Sequence, residues 1–128
     1  MLHPQVLVYE SDSRLVELLR RMEKRDWVLR EPRRLESCLE LLRRAVPSAL
    51  VIQVGQDLVR EFMLLERVGW LFPDTSIVAV GEEENAELEA LAYDLGATCV
   101  LFPPKSRALL PAVIESFMKV EERSSESV

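Results

Sequence analysis

Four short stretches of the chain are apolar without polar alternation: residues 6–9, 49–52, 77–80 and 99–102. Each carries Val or Ile, and an unbroken apolar run of this length marks a strand buried on both faces. A shorter run, Trp27-Val28-Leu29, gives way at once to charge, as an edge strand does. Between these runs the apolar positions change to helical spacing. Leu15, Leu18, Leu19 and Met22 share one helix face. So do Leu35, Cys38, Leu39 and Leu42, then Leu88, Leu91, Ala92 and Leu95, then Leu110, Val113, Ile114 and Phe117.

Punctuation fits this pattern. Asp12 or Ser13 is placed to cap the first helix, Asp57 the third and Ser106 the fifth, and Gly96 closes the fourth. Pro111 conflicts with an early start of the fifth. The third helix, over residues 57–70, holds Leu58, Val59, Phe62, Met63, Leu64, Leu65 and Val68, more apolar residues than one face accommodates.

Strand–helix alternation predicts an α/β fold: a doubly wound, five-stranded parallel sheet with helices on both faces. Right-handed crossovers favour the flavodoxin-like order 2-1-3-4-5 with five helices. Ligands of such sheets sit at the strand C-termini where the order reverses, between the first and third strands. Glu10, Ser11, Asp12, Gln53, Val54 and Gly55 fall there. Residues 1–120 are expected to form one domain, and 121–128 a polar tail or the start of a linker.

Composition narrows the function. The chain has 128 residues, 48% hydrophobic and 30% charged, enough for one core. No apolar run approaches the ~18 residues of a membrane span. The N-terminus lacks the basic and long apolar segments of a signal peptide, so a cytoplasmic location is expected. A net charge of −6 argues against direct nucleic-acid binding. Cys38 and Cys99, far apart within apolar patterns, read as small core residues. The only histidine is His3, and no Ser-His-Asp or Cys-His set can be assembled, so an enzyme is not expected.

Four segments, in order and spacing, resemble a response-regulator receiver (CheY-like) domain over roughly residues 5 to 120. They are Val6-Leu7-Val8-Tyr9-Glu10-Ser11-Asp12, Pro47-Ser48-Ala49-Leu50-Val51-Ile52-Gln53, Phe72-Pro73-Asp74-Thr75-Ser76-Ile77-Val78-Ala79-Val80-Gly81 and Leu95-Gly96-Ala97-Thr98-Cys99-Val100-Leu101-Phe102-Pro103-Pro104. The resemblance implies a domain of bacterial two-component signalling or phosphorelay, in which an aspartate accepts a phosphoryl group beside Mg²⁺.

The chemistry of those positions departs from the family. Gln53 stands where the resemblance places the nucleophilic aspartate, and an amide is no such nucleophile. Glu10 and Ser11 stand for the acid pair, with Asp12 next to them. Gly81 replaces the switch hydroxyl, Pro103 the lysine and Val100 the switch aromatic. Lys105 lies beyond a proline pair. Mg²⁺ needs several hard oxygens, so no metal and no cofactor are expected. Glu10 reads as solvated, and the 54–61 stretch as an early helix start. Pro104 matches the family proline that follows a cis bond.

The reading that follows is a degenerate pseudo-receiver: a phosphorylation-independent module acting through a protein partner or a homodimer. Two surfaces are candidates. The resemblance implies the fourth helix, fifth strand and fifth helix, which would expose Glu87, Glu89, Tyr93, Asp94, Arg107, Glu115 and Lys119. The apolar excess points to Met63, Leu64, Trp70, Leu71 and Phe72. The alternatives are small-molecule or cation binding at the vacated pocket of Glu10, Ser11, Asp12, Gln53, Gly81 and Pro103, and a response regulator phosphorylated on a noncanonical residue such as Asp57.

Overall fold

The structure is a computed structural model that describes residues 4–23, 25–44 and 48–126, without the side chains of Ser48 and residues 119–126. His3, Pro47 and the Lys119 side chain therefore lie outside the described residues. The elements alternate as β1 Gln5–Tyr9, α1 Arg14–Arg20, β2 Val28–Arg30, α2 Leu35–Arg44, β3 Ser48–Val54, α3 Leu58–Leu71, β4 Ser76–Gly81, α4 Ala86–Asp94, β5 Cys99–Leu101 and α5 Leu110–Glu126. All strand pairs are parallel and the order is β2-β1-β3-β4-β5, as expected.

Pleat alternation splits each buried strand between two cores. Val6 and Val8, Ala49 and Val51, and Val78 and Val80 face α1 and α5, where they meet Leu15, Leu19, Leu110 and Ile114. Leu7, Leu50, Ile52, Ile77 and Ala79 face the other way, toward Leu39, Leu64, Leu65 and Val68. Both faces are covered, which is why the strands read as continuous apolar runs. Cys38 is fully buried, and burial pushes its thiol up to about 12. Burial also raises the Cys99 thiol, offset in part by Lys105.

Several boundaries differ from the sequence expectation. Trp27 precedes β2 and packs into the α1/α5 core. β3 runs on to Val54, past its apolar run, because Gln53 and Val54 still pair with Val80 and Gly81. α3 starts at Leu58, no earlier, with Asp57 accepting from Arg60 N as its cap. Ser106 caps a 3₁₀ turn, Arg107–Leu109, and α5 begins only at Leu110. Pro111 thus falls in the first turn, where its missing N–H costs nothing. α5 reaches Glu126, into the segment expected to be a tail. Gly96 ends α4 at φ 118°, with Gly96 N on Tyr93 O and Ala97 N on Ala92 O, the paired bonds of a Schellman motif.

Candidate functional site

Register brings the site together. Tyr9 pairs with Ile52, so the residues that follow, Glu10 and Gln53, emerge side by side at the C-terminal end of the sheet. Gln53 is 4% exposed and its amide is fully engaged. Its Oε1 accepts from Ser11 N and Ser11 Oγ, each at 3.1 Å, and its Nε2 donates to Asp12 Oδ1 at 3.3 Å. The amide therefore bridges a donor pair and a carboxylate, which a second carboxylate in its place could not do. Asp12 also pairs with Arg14 at 3.3 Å, and Arg14 passes on to Glu82, which Arg107 meets as well.

Glu10 is not solvated. It is 7% exposed, and its two oxygens accept from Leu15 N and Val16 N at 2.8 Å each. It thus caps α1 from outside the helix, satisfying amides that have no intrahelical partner. Neither expected residue plays that part. Of the α1 amides Asp12 accepts only Arg14 N, and Ser13 makes no side-chain cap bond. Ser13 instead sits at φ 63°, with Oγ donating to Glu31 at 2.6 Å while Arg33 donates to Oγ at 3.1 Å. Burial raises the Glu10 pKa above its ordinary value, against the two amides, and neighbouring Asp12 adds to the rise. Partial burial also pushes Asp12 upward, but bonds from Arg14 N and the Gln53 amide, with the Arg14 charge, leave it lowered.

The other two positions are closed. An ideal Cβ on Gly81 would lie 2.8 Å from Cδ1 and Cε1 of Phe102. Phe102 is buried, so its ring occupies the space a hydroxyl side chain at 81 would need. Val100 is buried in the α2/α3 core. The Pro103–Pro104 bond is cis. Lys105 turns away to Glu89 on α4 at 3.2 Å, and that bond, with the nearby Tyr93, raises its pKa.

Glu61 is the site residue that sequence reasoning missed. It is 4% exposed and its carboxylate accepts from Gly55 N at 2.7 Å, Gln56 N at 3.1 Å and Asp57 N at 3.0 Å. These are the donors of the turn between β3 and α3, which the carboxylate satisfies from within the chain. The available signal was an acid four residues after the Asp57 cap, a capping box lengthened by one.

The residues present do not fit the Mg²⁺ that the resemblance implies. Both Glu10 oxygens are committed to amides, Gln53 is neutral, and Asp12 is shared by Gln53 and Arg14. Among the described residues, no group of three or more His, Cys, Asp or Glu is arranged to hold a metal. A cleft of about 280 Å³ does open next to Gln53, between the turns after β3 and β4, with Gly81 and Phe102 lining it and Glu83 and Asn85 at hand.

The candidate contact residues separate. Trp70 is 83% exposed, and Met63 and Leu71 are exposed as well. Leu64 is fully buried and belongs to the core, because it lies on the α3 face turned to the sheet. Phe72 is half-buried and packs on the same core. Tyr93 is exposed, and its hydroxyl accepts from Val100 N, covering a donor on the β5 edge. No helix of the described residues is long and apolar enough to cross a membrane.

Neither a protein-family model nor a curated protein matches the sequence. Solved structures do. The signal receiver domain of an HD domain-containing protein from Pseudomonas fluorescens Pf-5 superposes with a TM-score of 0.77 at 17% identity, over 100% of this chain and 96% of that one. The fold is that of a receiver domain. A response regulator from Thermotoga maritima gives 0.75 at 18% identity, over 92% of this chain and 99% of that one. NtrX from Brucella abortus gives 0.73 at 16% identity, over 99% of this chain but only 28% of that one. The chain thus has the receiver fold, and the polar groups at the position where the resemblance places the phosphoacceptor are paired with one another.

Proposed function

We propose that this receiver-fold domain is a phosphorylation-independent signalling module of a two-component-type pathway that acts by binding a protein partner or a second copy of itself. The observation that carries this is the Gln53 amide, buried and bonded to Ser11 and Asp12 where the resemblance places the acceptor. Phosphoryl transfer needs a nucleophile and groups that stabilise the transferred charge. Gln53 supplies no nucleophile, and Gly81 and Pro103 supply neither hydroxyl nor ammonium. Asp57, the nearest other acid, caps α3 and pairs with Arg60 at 3.5 Å.

Incubation with acetyl phosphate, or with beryllofluoride and Mg²⁺, should leave mass and amide NMR spectrum unchanged. A stoichiometric mass gain mapped to Asp57 or Asp12 would overturn the proposal. The cleft beside Gln53 supports a second reading, binding of a small cation at Glu83 over the Phe102 floor. Chemical-shift changes confined to Gly55, Gly81 and Asn85 on titration with small amines would favour it.

A further inference from the structure

α3 carries large apolar side chains on two opposite sides. Glu61, Leu64, Leu65 and Val68 face inward and are buried. Val59, Met63, Glu66 and Trp70 follow steps of four, three and four along the outer side, and all are exposed. Val59 is 74% exposed and Trp70 83%, while Leu58 and Leu71 widen the strip at its ends. A strip with this spacing is the narrow seam of helix pairing, broader than a point contact and narrower than a core-facing face. Its natural occupant is another helix.

We infer that this outer seam of α3 pairs with the same seam of a second copy of the chain. The inference deepens the association reading above and rests on it. Charge selects the occupant. Glu66 and Arg67 are exposed, and neither takes part in an ion pair among the described residues. Being adjacent on a helix, they point apart and cannot pair with each other. Arg60, by contrast, is held by Asp57. When two α3 helices lie parallel about a two-fold axis, the flank carrying Arg67 meets the side of the seam carrying the partner's Glu66. Two reciprocal ion pairs then close around Val59, Met63 and Trp70. One surface supplies both signs, which is the self-complementarity an isologous dimer needs. Each Trp side chain buries about 150–250 Å². A two-helix contact still falls at the small end of interfaces, near about 1,200 Å², so pairing is expected to depend on concentration.

The test is sedimentation equilibrium of the full chain up to about 1 mM, with circular dichroism as the folding control. Wild type should dimerise, and Trp70→Ala should weaken the dimer about thirtyfold. Glu66→Arg and Arg67→Glu should each be monomeric where wild type is dimeric. Mixed one to one, these two variants should form a heterodimer, because each then offers the charges the other lacks. Wild type that remains monomeric throughout overturns the second copy as occupant, leaving the phosphodonor result unaffected. A wild-type dimer that both charge variants keep overturns the seam but not association as such. Charge variants that do not recover on mixing overturn the reciprocal pairing.

Discussion

Gln53→Asp restores the carboxylate that the receiver fold's resemblance calls for, and the structure says the domain will be weakened by it. The Gln53 side chain is almost fully buried. Aspartate is shorter by one methylene, worth about 1 kcal/mol at a packed position. It also loses the donor that Gln53 offers Asp12. That bond is long, at 3.3 Å, and the Asp12 side chain is 31% exposed, so its loss counts for no more than about 1 kcal/mol. The new charge then sits close to Asp12 and Glu10. Two unit charges about 5 Å apart repel by roughly 3 kcal/mol at an effective dielectric of 20, and solvent at Asp12 cuts that to about 1 kcal/mol. The total is about 3 kcal/mol at pH 7.

The pH dependence has a definite sign. Repulsion and burial raise the folded-state pKa of the introduced Asp above its unfolded value. The penalty is therefore absent below the unfolded pKa, about 3.9, and grows as pH rises through the folded one. Glu10, whose pKa is already raised, acts in the same direction in the wild type, while the lowered Asp12 stabilises above its unfolded value and is lost as pH falls. Urea unfolding at pH 7 and pH 4 should give a wild-type-minus-mutant difference of about 3 and about 2 kcal/mol. Acetyl phosphate should still add no mass, since nothing at Gly81 or Pro103 holds the transferred group. A mutant within about 1 kcal/mol of wild type at pH 7, or a pH-independent difference, would refute the buried bridging role given to Gln53.

Two further substitutions probe the filled site. Gly81→Ser should cost about 1–3 kcal/mol because its Cβ meets the Phe102 ring, and the penalty should shrink in a Phe102→Leu background; additive losses in the double-mutant cycle would show that the ring is not what excludes a side chain there. Glu61→Ala should cost about 2 kcal/mol and speed amide exchange at Gly55, Gln56 and Asp57, whose donors it leaves to water; unchanged exchange at those three amides would rule out the anchoring role.

The fold was legible because every covered strand had to be apolar on both sides and every helix on one. Those patterns stand in the chain at residues 6–9, 49–52, 77–80 and 99–102, and right-handed crossovers leave few sheet orders, of which 2-1-3-4-5 is the one observed. The ends of elements were less legible, because they are set by partners distant in sequence. β3 continues through Gln53 because β4 still pairs with it, and α1 is capped by Glu10 from the end of β1. Single-residue identity marked 53, 81 and 103 as departures from what the resemblance implies. It did not reveal what packs at those positions. The Phe102 ring under Gly81 and the Glu61 carboxylate under the β3–α3 turn depend on side-chain direction across elements, which periodicity does not encode.

That difference changes the character of the site. Missing functional groups suggest a vacated pocket, yet the polar groups around Gln53 are paired. Ser11 donates to Gln53, Gln53 to Asp12, Leu15 N and Val16 N to Glu10, and the turn amides to Glu61. Buried polar groups are costly unless they are bonded, so a site emptied of its ligands must either collapse or supply substitutes from within the chain. Here the substitutes are an amide and two carboxylates, all at least nine-tenths buried. A network completed in this way ties the β1–α1 and β3–α3 turns to the ends of their strands and helices. On the reading proposed above, a switch position satisfied internally offers no differential contact by which a ligand could shift a two-state equilibrium. On that reading the domain acts through its surface, where Trp70, 83% exposed, is the most exposed large apolar side chain among the described residues.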